Sequence, residues 1–271
     1  MPLKLEYRTQ ADVPVEVEGI TPDRMRDKSL SDIEKLEIFH GNVKTPLGEF
    51  FSVSGDPSDG CMEWEGDLSG VHWIGAKMAS GSIHLSGNGG RHIGSEMLGG
   101  EIHVDGDAGD WVGGEMRRGL IHVRGRAGHL IGAAYRGSAV GMKGGTILIG
   151  GDAGNEIGHT MRRGMIAIGG SIGDLAGFNM LAGTILVFGD SGIRHGAGMR
   201  RGTIGFLGSD PPPLLPTFRH ACRYRPDVLE MVFRHLQLHA FKLPADVLQS
   251  QVDLYNGDMI EGGRGEIFIR R

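Results

Sequence analysis

A methionine returns every 19 residues through the middle of this 271-residue chain. The positions are Met78, Met97 and Met116, then Met142, Met161, Met180 and Met199. One step, from Met116 to Met142, is 26 residues long, and the segment AAYRGSA (Ala133 to Ala139) is the expected insert. A fixed period of this length restricts the chain to repeat architectures, in which a unit buries its apolar face only by stacking on its neighbours.

The unit reads M-x-x-G-x-I-x-V-x-G-x-x-G-x-x-I-G. Its Ile-x-Val triplet has period two, so both aliphatic side chains point to one face of a strand. Ile83 and Leu85, Ile102 and Val104, Ile121 and Val123, Ile147 and Ile149, Ile166 and Ile168, and Ile185 and Val187 repeat it. A second short strand is expected to end at Ile93, Val112, Ile131 or Ile157. Glycine, 48 residues in all, brackets the strands and suits tight corners. Nineteen extended residues span a perimeter of about 60 Å, small enough for side chains to fill. The expected fold is mainly β: a right-handed parallel β-helix, a single-stranded solenoid of about seven or more 19-residue coils. Left-handed hexapeptide helices need a six-residue beat, and calcium-binding β-rolls need nonapeptides with a regular aspartate; neither fits.

Residues 1–45 are expected to form an N-terminal cap over the open end of a solenoid, residues 46–208 the β-helix, and residues 209–271 a C-terminal tail with a helix and a terminal strand. In the cap, Thr21-Pro22-Asp23 reads as a helix start, and Ser29 to Phe39 places Leu30, Ile33, Leu36 and Phe39 on one helical side. In the tail, Pro211-Pro212-Pro213 ends the coils. Pro226-Asp227 then opens a helix carrying Val228, Leu229, Val232, Phe233 and Leu236. The N-terminus lacks a signal-peptide apolar core and no run approaches a membrane span, so a cytoplasmic location is expected. A net charge of −5 argues against nucleic acid as a partner.

Between the paired inward residues lies one outward position, which reads His84, His103, His122, Leu148, Ala167, Leu186 and Gly205 along the units. Equal spacing makes these a ladder with rungs about 4.8 Å apart. Stacked imidazoles can bind metal or sense pH, but no nearby carboxylate or cysteine completes a ligand set. The ladder therefore reads as an interface, covered by a partner or by the tail, with Leu148 and Leu186 its apolar half. Arg117 and Arg118, Arg162 and Arg163, and Arg200 and Arg201 recur in MRRG and predict basic corners. His195 takes a place where other units carry an aliphatic residue, and is expected to be a core histidine. The many GxGxxG-like strings belong to the 19-residue beat and carry no nucleotide meaning. No catalytic residue, metal site or bound cofactor is expected on this chain.

The strings GDAGDWVGGEMRRG and GDAGNEIGHTMRRG, followed by LPTFRHACRYRP and a terminal GRGEI, resemble the C subunit of formylmethanofuran dehydrogenase and its bacterial relative in the formyltransferase/hydrolase complex. The resemblance runs from about Phe50 to the end. The G-D-x-V-G element also resembles the non-catalytic C-terminal β-helix domain of the glutamate synthase large subunit. The resemblance implies a non-catalytic scaffold subunit of a hetero-oligomer. It implies partners that are formyltransferase and amidohydrolase-like subunits, and a complex that uses methanofuran or an analogue and tetrahydromethanopterin, with metal in a partner. Two other functions stand beside it: the C subunit of an archaeal-type dehydrogenase reducing carbon dioxide, and a free-standing carbohydrate-active β-helix enzyme with Asp105 or Glu115 as acids. A glutamate-synthase-like role in ammonia metabolism is disfavoured by the cap and the tail.

Overall fold

The computed structural model describes residues 1–8 and 12–271. Its strands, in chain order, are β1 (Leu3–Tyr7), β2 (Val15–Glu16), β3 (Glu37–His40), β4 (Val43–Pro46), β5 (Phe51–Ser54), β6 (Cys61–Glu65), β7 (Val71–His72), β8 (Ser82–Leu85) and β9 (Glu101–Val104). They continue with β10 (Leu120–Val123), β11 (Lys143–Ile149), β12 (Arg163–Ile168), β13 (Thr184–Val187), β14 (Gly202–Phe206), β15 (Arg219–Tyr224), β16 (Val252–Gly257) and β17 (Gly265–Arg270). Three α-helices accompany them: α1 (Pro22–Met25), α2 (Leu30–Glu34) and α3 (Asp227–Leu238).

One large, mostly parallel sheet of 13 strands runs in the order β15-β16-β17-β14-β13-β12-β11-β10-β9-β8-β6-β1-β5. Its register follows the repeat: Ile83 pairs with Ile102, Ile102 with Ile121, Ile121 with Ile147, and so on through Ile166, Ile185 and Ile204. These isoleucines are buried, as are the residues two places on, from Leu85 and Val104 to Phe206. The methionine row lies inside as well.

Two further lines of contact join successive units. One is a row of parallel bridges, Leu68 to Gly89 to Ala108 to Ala127, resumed at Ala153, Ile172 and Ser191. The other is a row of hydrogen bonds in which the N–H of Gly94, Gly113, Gly132, Gly158, Gly177 and Gly196 each donates to the carbonyl of the preceding unit. The second short strand predicted at Ile93, Val112, Ile131 and Ile157 is therefore not formed. These residues sit in turns, with a single bridge residue four places earlier. The reason is local: Trp73, His92, Trp111, Leu130, Glu156, Leu175 and Arg194, just before those positions, all have φ between 58° and 67°. Alternation of this left-handed backbone with ordinary φ bends the chain and breaks a continuous ladder.

The seven-residue insert leaves the pairing of β10 with β11 in register, although the bridge row is interrupted between Ala127 and Ala153 and β11 is irregular between Lys143 and Thr146. Elsewhere the methionine N–H donates to the glycine three places earlier, as Met97 does to Gly94 at 3.2 Å; Met142 makes the same bond to Gly132 at 2.8 Å across the longer loop. The GDAG strings also acquire a physical meaning. Asp107 Oδ1 accepts from Arg126 N at 2.7 Å, Asp110 Oδ1 from His129 N at 2.8 Å, and Asp152 Oδ1 from Ser171 N at 2.7 Å, each 19 residues ahead. A short carboxylate or amide thus replaces the missing ladder bond at each corner.

At one end β1 enters the large sheet between β5 and β6, while β4-β3-β2-β7 form a separate small sheet. The helix expected over 29–39 stops at Glu34, capped by Ser29 Oγ accepting from Asp32 N. Phe39 lies on β3 and is exposed, because the chain must turn back to pair β3 with β4. At the other end β17 pairs parallel with β14 and antiparallel with β16. Helix α3 lays Leu229, Phe233 and Leu236 over the outer side of the sheet, whereas Val228, expected on the same side, faces solvent.

Gly100 tests the stacking directly. Its φ is +86°, and a Cβ would fall 2.6 Å from Gly81 O and 2.8 Å from Met78 Cε. Gly137, in the insert, has a similar φ of +87° but open space around it. Gly137→Ala is expected to cost only the left-handed backbone penalty, about 1–2 kcal/mol. Gly100→Ala adds overpacking against the neighbouring unit, for a total of about 3 kcal/mol or more. Urea denaturation of the two variants measures the difference.

Candidate partner interface

The outward ladder is in register as expected: His84 opposes His103, His103 opposes His122, His122 opposes Leu148, and the row continues through Ala167, Leu186 and Gly205. Its cover is graded. His84 and His103 are half-buried, His122 is buried at 8% exposure, and Leu148 and Leu186 are fully buried. The cover is the chain's own tail: Leu148, Ala167 and Leu186 pack in one cluster with Leu229, Phe233, Leu236 and Phe241. The apolar half of the ladder is thus an internal contact that seats α3.

Two of the histidine rungs have a carboxylate beside them. His84 Nε2 lies 2.9 Å from Asp105 Oδ2, Arg124 3.0 Å from Asp105 Oδ1, and His103 Nε2 3.3 Å from Glu101. Asp105 comes from the end of a neighbouring strand, a relation that stacking creates and linear spacing hides, whereas Glu101 lies two places before His103 on the same strand. Even so, the described residues contain no group of three His, Cys, Asp or Glu side chains that could hold a metal ion. Asp105 and Glu115, the acids of the enzyme alternative, are both engaged in holding the stack. Glu115 accepts from Tyr135 N at 3.2 Å and pairs with Lys143 at 3.5 Å.

The basic corners form a row one place after the methionines. Arg117, Lys143 and Arg162 occupy successive units, and the Lys143 N–H donates to Met116 O while that of Arg162 donates to Met142 O. Arg118 and Arg163 flank them. Arg117, Arg118, Arg162, Arg163 and Arg201 are exposed, and among the described residues none has a carboxylate within ion-pair distance. Arg200 differs, meeting Glu261 at 3.1 Å. Lys143 escapes the motif because it breaks the MRRG string, although the 19-residue arithmetic leads to it.

A third surface feature has no counterpart in the sequence reading. Trp73, His92 and Trp111 share one corner position, and their rings stack: Trp73 on His92 at 4.1 Å and 6°, His92 on Trp111 at 6.0 Å and 20°. Tyr135, from the insert, stacks on Trp111 at 4.8 Å and donates its hydroxyl to Ser95 Oγ at 2.6 Å. Burial pushes the His92 ring down to about 4 and the Tyr135 hydroxyl up to about 12. The helix α3 presents Val228, Met231 and Leu238 outward, the last two 73% and 82% exposed. No helix among the described residues is long and apolar enough to cross a membrane.

Two further buried titratable groups contribute to the acid behaviour. His195 is inside the stack, where its Nδ1 accepts from Ala176 N at 3.2 Å and its Nε2 has no hydrogen-bond partner. Burial pushes its ring down to about 4. Asp253 on β16 is 4% exposed and held by Arg223 at 2.7 Å, Arg271 at 2.7 Å and His220 at 3.4 Å. The hydrogen bond from Arg223 leads in holding this carboxyl far below the usual carboxylate range.

Relatives of known identity place these features in context. No family model matches the chain. The C subunit of the molybdenum-containing formylmethanofuran dehydrogenase 1 of Methanothermobacter thermautotrophicus is 42% identical over 84 residues, 31% of this chain and 21% of that protein. The C subunit of the tungsten-containing formylmethanofuran dehydrogenase 2 of Methanothermobacter wolfeii is 40% identical over 88 residues, 31% of this chain and 33% of its own length. The chain thus spans only a fifth to a third of the curated relatives it matches. A chain in the crystal structure of the formyltransferase/hydrolase complex from Methylorubrum extorquens, determined with methylofuran, matches over 99% of both chains, with a TM-score of 0.90 and 32% identity.

The two titrating groups act in separate pH windows. An unfolded histidine takes up a proton near pH 6.5, so below that the unfolded chain binds more protons than the folded one and stability falls with pH down to about 4. His195→Leu is expected to make this limb shallower, with His92 and His122 supplying the remainder, read as the shift of the urea midpoint between pH 7 and pH 4.5. The Asp253 contribution is complete above about pH 4 and drains away below it. Asp253→Asn is expected to lower the midpoint at pH 7 and to reduce the difference between pH 4 and pH 2.

Proposed function

Because the chain belongs to the family formed by the C subunits of formylmethanofuran dehydrogenases and of the formyltransferase/hydrolase complex, we propose that it is a non-catalytic scaffold subunit of such a complex in one-carbon metabolism. In this reading the complex moves a formyl group from a tetrahydromethanopterin carrier, by way of a methanofuran-type carrier, towards formate. The chemistry belongs to formyltransferase and amidohydrolase-like partners, the latter holding the metal, and the assembly works in the cytoplasm. The carrying observation is the likeness to a chain of the Methylorubrum complex along the whole length at 32% identity. An archaeal-type dehydrogenase subunit is the second reading, favoured by the 42% and 40% identities but limited to under a third of the chain.

The 19-residue units then act as coils of a right-handed parallel β-helix, about seven in number, over residues 46–208. Support comes from the three lines of unit-to-unit contact. Residues 1–45 and 209–271 serve as cap and tail. A rigid column offers partners a long, regular wall. The unpaired arginines Arg117, Arg118, Arg162 and Arg163 and the outer face of α3 are the surfaces proposed to meet them, since uncompensated charge and exposed aliphatic side chains favour contact.

Affinity purification of a tagged chain from its native host tests the assignment. The expected result is co-recovery of formyltransferase and amidohydrolase-like subunits, with the isolated chain releasing no formate from formylated carrier. Recovery as a clean monomer without companions would sink the proposal. Met231→Asp with Leu238→Asp, and separately Arg117→Glu with Arg162→Glu, are expected to lower co-recovery about tenfold while leaving the unfolding of the isolated chain unchanged.

A further inference from the structure

The tail covers the ladder only in part. Helix α3 ends at Leu238 above the histidine rungs, and Phe241 turns back into the apolar cluster, 5.8 Å from Phe188. Between the helix end and the sheet a cleft of about 690 Å³ remains. Leu120, Leu238 and Phe241 supply its apolar lining; His103, His122, Arg124, His239, Lys242 and Glu101 supply its titratable and charged lining. A concave site of this size, with an apolar side and a convergent set of charged and polar groups, suits a small amphipathic molecule.

The charges select the class of molecule. Glu101 is engaged with His103, and Arg124 with Asp105. Lys242 has no carboxylate within ion-pair distance among the described residues, which leaves it the uncommitted cation of the cleft. The α3 C-terminus opposes an anion less than a bare helix end would, because two of its last carbonyls are taken: Leu236 O accepts from His239 N and Phe241 N, both at 3.1 Å, and Gln237 O from Ala240 N at 3.0 Å. A metal cation is disfavoured by Arg124 and Lys242, and no third ligand is present among the described residues. We infer that this cleft binds a small organic carboxylate, its apolar body against Leu120, Leu238 and Phe241 and its carboxylate against Lys242 and the His122 and His239 rings. Independently, the His122 ring is held below its ordinary range, first by burial and then by the positive charges of His103, Arg124 and His239. A bound carboxylate offsets those charges.

The site goes beyond the scaffold role, and its failure would leave co-recovery of partners untouched. Calorimetric titration of the full-length chain with 4-phenylbutyrate, 4-phenylbutanol and inorganic phosphate tests it. The expected outcome is saturable one-to-one binding of phenylbutyrate, at least about tenfold tighter than the alcohol or phosphate. The His122 ring, followed by NMR, should titrate at higher pH when phenylbutyrate is bound. Lys242→Glu should weaken binding about tenfold or more, Lys242→Arg should restore it, and Arg201→Glu, remote from the cleft, should leave it unchanged. Equal affinity for the alcohol, equal affinity for phosphate, no saturable binding to the folded wild-type chain, or indifference to Lys242→Glu would each overturn the inference.

Discussion

Backbone hydrogen bonding between units 19 residues apart is the constraint on which the molecule rests. A short strand such as Glu101–Val104 has too few contacts to be stable alone. It persists because its backbone groups bond to the strands on either side, and its side chains pack on copies of themselves above and below. The side chains at the corners serve the same end. The aspartates of GDAG reach forward to the next unit's amides, and the glycines leave room where two units' backbones come within touching distance.

Much of this is legible in the sequence because stacking turns linear periodicity into vertical columns. The isoleucine pairs, the methionine row, the position of the insert and the outward ladder all follow from counting in nineteens. What is not legible arises between columns. The His84–Asp105 and Arg124–Asp105 pairs join residues about one unit apart that no motif links, and Lys143 carries the basic row where the MRRG string fails. The turns at Ile93 and Val112 pass for strand because aliphatic residues followed by glycine look alike in both. The decisive feature, left-handed backbone at His92 and Trp111, falls on residues that seldom adopt it.

The tail shows how a surface expected to meet a partner can be satisfied from within. Leu148 and Leu186 read as a contact patch, and they are one, but their partner is α3. The surfaces proposed to meet a partner are therefore the far side of the same helix and the corners left bare. Where α3 stops, the two kinds of surface meet, and the cleft at His122 lies at that seam.

The loop at Tyr135 carries a broader consequence. Seven additional residues are absorbed at a turn, while the strands on either side keep their pairing. An addition of the same size within a strand would throw every later aliphatic side chain out of its column. Variation in chain length is therefore quantised: either any number of residues at the turn, or a complete unit in the stack. Relatives that differ in height should differ by integral steps, and their loops should diverge freely while the interior stays countable.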